Sequence, residues 1–283
     1  MNMRAPIVAG KFYERTEQNL RKQIENCFKH KLGPGTIPEA DISQTRNIKG
    51  LISPHAGYVY SGPVAAHGFF ALASEVKPEV IILVGPNHQG IGADVSLSKQ
   101  DQWVTPLGTV DAANDVGGEI ISLCSRTEWD DSGHTWEHSL EVQIPFLQYI
   151  FGEGLRVVFI SMLLQDLSTS IALGEAIAST LRDRDGVVIA SSDFSHYESR
   201  SSASRKDGLA LDAIMEMDVN KLRSVVDQEG ITMCGCGPVI AMLTACRIAG
   251  AGKTKVLKYA TSGDITSDYS HVVGYASVEV ALQ

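Results

Sequence analysis

The chain has 283 residues, 44% hydrophobic and 20% charged, a balance that supplies a large core and excludes a disordered chain. Acidic residues outnumber basic ones 33 to 24, and the net charge of −9 disfavours a nucleic-acid surface, which needs clustered basic charge. The longest apolar run at mid-chain, residues 80–84, falls far short of the ~20 residues of a membrane span.

The start, Met1-Asn2-Met3-Arg4-Ala5-Pro6, has no apolar stretch of the kind a secretory signal needs. Five cysteines, an odd number in a chain with ample core, do not suggest a disulfide framework. The expectation is a cytoplasmic protein with no membrane and no nucleic-acid partner.

In chain order, the spacing predicts a helix over 17–30, then a Gly/Pro-bearing connector over 31–38. Short Val/Ile-rich runs at 50–53, 80–84, 155–162 and 187–190 read as buried strands, too short for helices. Helical spacing lies between and after them, at 62–76, 114–123, 138–151, 168–182 and 204–217. A strong helix pattern at 238–249, opened by a Gly-Pro pair, precedes strands at 255–259 and 272–280. Strands alternating with helices predict an α/β fold: a central mixed, mostly parallel sheet with helices on both faces. No composition shift marks a boundary, so one domain is expected over 1–283.

Three predicted strands run straight into hydrogen-bonding residues. Residues 50–53 deliver Pro54-His55-Ala56-Gly57-Tyr58, residues 80–84 deliver Gly85-Pro86-Asn87-His88, and residues 187–190 deliver Ser191-Ser192-Asp193-Phe194-Ser195-His196. In open α/β sheets, ligands sit beyond the carboxyl ends of the strands. Parallel neighbours would bring these histidines and the aspartate to one cleft. A lone histidine after a strand is usually a loop residue; three strand ends with this chemistry outweigh that reading.

Cys234, in Met233-Cys234-Gly235-Cys236-Gly237-Pro238, stands before the helix at 238–249, where the dipole favours a thiolate. Cys-x-Cys is by itself a weak zinc signal. The segment 130–143 carries His134, Glu137, His138 and Glu141. On the predicted helix His138 and Glu141 share a face, and Glu141, amid apolar neighbours, is expected to be buried or cleft-facing and then to need a partner or to orient a histidine. His30, His67 and His271 read as structural.

Residues alone leave three readings. In the first, His55, His88 and either Cys234 or a carboxylate hold one metal, while Asp193 and His196 act on substrate. In the second, a metal-free hydrolase uses Cys234 as nucleophile and His196 as base. In the third, the same cleft is a non-catalytic module for a peptide or partner protein.

The motif at 54–58, with Ser61-Gly62 and Ala65-Ala66-His67, resembles the Memo family, also called AmmeMemoRadiSam system protein B. Gly85-Pro86-Asn87-His88, Glu137-His138-Ser139-Leu140-Glu141-Val142-Gln143-Ile144-Pro145-Phe146, Ser191-Ser192-Asp193-Phe194-Ser195-His196 and Cys234-Gly235-x-Gly237-Pro238 match in the same order. The resemblance spans essentially the whole chain, from Arg4-Ala5-Pro6 and Gly10-Lys11-Phe12-Tyr13 to the last strand.

It implies a fold like that of the class III extradiol (LigB-like) dioxygenases, which are non-haem iron enzymes. It also implies a metal held by His55, His88 and Cys234, with Asp193 and His196 as catalytic groups and His196 the acid/base residue. Tyr58, His138 and Glu141 are expected around them, orienting ligands or lining a substrate pocket. The dioxygenases use a carboxylate as third ligand, so the thiol argues against ordinary ring opening. The implied cofactor is one metal ion, Fe(II) ahead of copper and copper ahead of zinc. The implied substrate is a small molecule or peptide, with a functional link to AMMECR-like and radical SAM proteins.

Overall fold

The computed structural model describes residues 2–39 and 46–283. The first half of the chain contains β1 (Met3–Arg4), α1 (Glu17–Lys29), β2 (Ile48–Ser53), α2 (Gly62–Ala73) and β3 (Val80–Pro86). Short strands follow: β4 (Val95–Leu97), β5 (Gln102–Thr105), β6 (Gly108–Ala112), then α3 (Asn114–Leu123) and β7 (Thr127–Trp129). Next come α4 (Ile144–Phe151), β8 (Arg156–Met162), α5 (Leu167–Thr180), β9 (Gly186–Ser191) and β10 (His196–Glu198). The chain ends with α6 (Arg200–Met215), α7 (Val219–Gln228), α8 (Cys236–Ile248), β11 (Ala251–Thr261), α9 (Gly263–Thr266) and β12 (Val272–Leu282).

The strands form one mixed sheet in the order β1-β5-β6-β8-β3-β9-β2-β12-β10, with β11 antiparallel to β12. Its centre, β8-β3-β9-β2, is parallel. Strands β3 and β9 are buried along their whole length, as continuous apolar runs in a covered parallel sheet must be. Alternation then divides the core. Ile82, Val84, Val188 and Ala190 join one cluster, with Leu173 and Ile177 of α5 and Val239 and Ile240 of α8. Ile81, Leu83, Val187 and Ile189 join the other, with Ile24 and Phe28 of α1, Phe69 of α2 and Phe146 of α4. The result is a single α/β domain with helices on both faces. Among the described residues no helix is long and apolar enough to cross a membrane.

Local chemistry sets the helix ends. Asp166 accepts from the amides of Ser168 and Thr169 to start α5, and Ser199 caps α6, which begins at Arg200, four residues before the predicted start at 204. The expected helix over 138–151 is corrected: residues Glu141–Gln143 form a single 3₁₀ turn, and the α-helix begins only at Ile144. Pro145 is suited to a first helical turn. Upstream, the amides of His138 and Ser139 are taken by the side chain of Glu137, which holds this stretch out of a helix.

Candidate metal centre

Strands β3, β9 and β2 are neighbours, so their carboxyl ends bring residues 86–88, 191–193 and 53–55 together. Ser191, the last residue of β9, organises the first histidine. Its hydroxyl donates to Ser139 O at 2.7 Å and accepts from Gln143 Nε2 at 2.8 Å. Its remaining lone pair faces His55 Nδ1 at 2.9 Å. A hydroxyl has one donor and two acceptor sites, so Nδ1 must carry the proton and Nε2 is left bare.

His88 is set the same way. Its Nδ1 lies 2.9 Å from Glu137 Oε1 and its amide donates to Oε2 at 2.6 Å. A carboxylate only accepts, so this imidazole also presents a bare Nε2. Cys234 completes the group, its Sγ 3.2 Å from His55 Nε2. The amide of Asp193 donates to this sulfur at 3.3 Å. Gly235 makes the approach feasible, because a Cβ there would come within 2.4 Å of Ser191 O.

The candidate ligand atoms of His55, His88 and Cys234 all lie within 4.8 Å of one another. A second trio, His88, Glu137 and His138, meets the same distance. Its carboxylate, however, already accepts from His88 Nδ1 and from the amides of His88, His138 and Ser139. In the first trio the His55 Nε2 faces the Cys234 sulfur, with no carboxylate held between its members; the second is a hydrogen-bonded support. Two imidazoles and one thiolate suit iron, copper or zinc and not magnesium or calcium.

Burial lowers the pKa of His55, and His88, His138 and His196 add repulsion against its protonation. It is thereby kept in the neutral form that ligates metals. Burial, then the charge of Asp193, pushes the Cys234 thiol up, so its ionisation requires a neighbouring cation. Asp193 is itself buried. It accepts the His55 amide at 2.8 Å, and burial raises its carboxyl to about 6 against the pull of its amide bonds and of His196.

His196 lies at the margin, half-exposed. Thr232 O, 2.9 Å from its Nδ1, fixes the proton there and leaves Nε2 free. The next residue, Tyr197, holds a φ of 58°, a left-handed conformation that costs a non-glycine residue of order 1–3 kcal/mol. His138 stacks on His88 with ring centroids 4.9 Å apart and stands 5.6 Å from His55.

Two expected members are elsewhere. Tyr58 donates its hydroxyl to Val142 O and packs against Tyr13 and Phe146 in the core. Glu141 does not orient a histidine: it is bound to Arg4, Tyr13 and the amides of Ile7 and Val8. The orienting carboxylate is Glu137, four residues earlier. Sequence reasoning noted Glu137 but gave it no role; its place directly before His138 was the available signal. Ser191 and Gln143 stood inside the family motifs without a role of their own, and Thr232 carried no signal.

His134 is structural. Buried near Trp103, it donates Nε2 to Ser96 O at 3.0 Å, while Nδ1 has no hydrogen-bond partner among the described residues. Burial, then the charge of Arg4, lowers its pKa from 6.5 to about 4. Between those values the unfolded chain binds a proton that the folded chain does not. Stability from this group is therefore complete above pH 6.5 and falls as the pH drops toward 4, by up to about 3 kcal/mol. His134→Gln keeps a donor for Ser96 and should flatten that fall. Urea denaturation at neutral and mildly acid pH measures it, and an unchanged slope would assign the acid sensitivity to other groups.

A model of the Memo-like protein family matches residues 4–279. A MEMO1 family protein of Methanothermobacter thermautotrophicus is 46% identical over 276 residues, 97% of this chain and 99% of its own. Another, of Methanopyrus kandleri, is 43% identical over 277 residues, 97% of this chain and 98% of its own. A third, of Nitrosopumilus maritimus, is 43% identical over 277 residues, 98% of this chain and 99% of its own.

Proposed function

The chain belongs to the Memo-like family, and from that premise we propose that His55, His88 and Cys234 hold one metal ion, redox-active Fe(II) ahead of copper, and copper ahead of redox-inert zinc. The cleft above it then performs redox or oxygen chemistry on a small-molecule or peptide substrate. The observation that carries this reading is the hydrogen bonding of both Nδ1 atoms. Ser191 and Glu137 each occupy an Nδ1, which leaves both Nε2 atoms for a ligand, that of His55 facing the Cys234 sulfur at 3.2 Å. Such an ion supplies electron transfer and oxygen activation.

The chain's own groups supply proton handling. His196, held at Nδ1 by Thr232, takes or gives a proton at Nε2. Asp193, with a carboxyl near 6, exchanges a proton close to neutral pH. Substrate transfer from or to AMMECR-like and radical SAM proteins forms part of the same proposal.

A second reading, a binding module for a peptide, draws on the exposed Tyr60, Trp136 and Tyr197, of which the first two share loops with His55 and Glu137 and the third follows His196 in β10. Metal titration separates the two. Under anaerobic conditions the wild-type chain should take up about one Fe(II), and His55→Ala/His88→Ala none; full loading of that double variant overturns the metal reading. Cys234→Ser should weaken binding by more than the roughly 10–100-fold typical of losing an outer hydrogen-bond partner. Asp193→Asn and His196→Ala should keep the metal and lose turnover.

A further inference from the structure

At the amino-terminal end of the central strands β2 and β9, opposite the metal centre, a cavity of about 320 Å³ opens where α5 and α8 end. Upstream these helices touch closely: a Cβ on Gly174 would lie 2.5 Å from Ala241 O. One turn later the corresponding residues are Ala178 and Ala245, and both line the cavity. Val188 of β9 and Cys246 of α8 line its apolar interior, and the half-exposed Ile248 its mouth.

Three cations surround it. Arg184 is engaged, donating to Thr180 O at the end of α5 and to both oxygens of Glu119. Lys49 and Arg182 also line the cavity, and their side chains form no hydrogen bond or ion pair among the described residues. Cations at helix C-termini commonly offset the dipole, which is what Arg184 does. Lys49 has no such duty, since it comes from β2. It lines the cavity together with Val188 and Cys246. The local acids are otherwise occupied or turned outward: Glu119 holds Arg184, Asp185 holds Arg46, and Asp183 is exposed.

We propose that this cavity binds a small amphipathic carboxylate, its head between Lys49 and Arg182 and its apolar body against Val188, Cys246 and Ile248. The site is independent of the metal centre. Strands β2 and β9 run from one to the other, and six residues at about 3.3 Å each separate the two by roughly 20 Å.

Octanoate is the probe. Thermal melting of the full chain should show a saturable rise with millimolar octanoate, as for any ligand that binds only the native state, and none with octan-1-ol. Lys49→Gln/Arg182→Gln removes two surface charges without touching the core. It should weaken octanoate about tenfold, the size of two partly exposed ion contacts, and leave Fe(II) uptake unchanged. Equal binding of octan-1-ol, equal binding by the double variant, or no saturable binding at all overturns the proposal.

Discussion

Glu137→Gln is expected to weaken Fe(II) binding roughly 10–100-fold, the range seen when a ligand's outer partner is lost, although Glu137 touches no metal in the proposed centre. The side chain is 1% exposed and receives four N–H groups. An amide has only one accepting oxygen. With that oxygen at the Oε1 position it still meets His88 Nδ1, and the new NH₂ then opposes the His88 amide. With the amide flipped, three donors lose their acceptor.

Either way a buried N–H is stranded, at about 1–3 kcal/mol, and the imidazole of His88 loses the charge that fixes its tautomer. Burial pushes the Glu137 carboxyl up, but the hydrogen bonds it accepts from the ring and amide of His88 win and hold it at about 2, below its usual 4.5. Its contribution to stability is present above pH 4.5 and is lost as the pH falls through about 2. The variant's defect should therefore be constant across neutral pH. Anaerobic titration of the folded variant reads the affinity; a wild-type value would remove Glu137 from the machinery of the centre.

That role was hidden in the sequence for a definite reason. The spacing from 138 to 151 reads as one helix, and on a helix Glu141 would share a face with His138. The chain instead makes a loop and a 3₁₀ turn before Pro145, and the two glutamates part company. The segments read correctly owe little to tertiary context. Strands β2, β3, β8 and β9 are apolar because both faces of the sheet are covered, and α1 shows its buried stripe in Leu20, Ile24, Cys27 and Phe28.

His55, His88 and Asp193 were legible because a parallel strand can deliver a polar side chain to a shared cleft only at its end. Strands β4 to β7 were missed because they are three to five residues long and some, like β6, are largely exposed. Helix α7 was missed because it buries only Val219, Leu222 and Val226. A hydroxyl such as Ser191 matters through three partners at sequence distances of 48 to 136, which no local pattern encodes.

Glu141→Gln should cost the fold about 3–5 kcal/mol, the usual penalty for stranding one partner of a buried ion pair. Glu141 is fully buried, and its carboxylate meets Arg4 Nη1 at 2.7 Å, the Tyr13 hydroxyl at 2.7 Å, and the amides of Ile7 and Val8 at 3.0 Å. Arg4 is buried too, 8% exposed. Its guanidinium lies 4.0 Å above the Trp103 ring and donates to the carbonyls of His134 and Glu137. With glutamine at 141 that cation stays buried with only carbonyl and ring partners.

The N-terminal segment, tied down by Glu141 through four groups, would come loose first. Because Arg4 also grips the Glu137 carbonyl, the damage reaches the stretch that sets His88. The double variant Arg4→Met/Glu141→Gln distinguishes this account from a simple loss of packing. Removing the cation with its partner should make the pair cost less than the sum of the single changes, with a coupling of about 1–3 kcal/mol. Urea unfolding of the four chains measures it, and strictly additive losses would show that the ion pair is not what holds the segment. Against a total stability of about 5–15 kcal/mol, the Glu141→Gln chain should be the one that unfolds near its working temperature, whereas Glu137→Gln folds and fails to hold its metal.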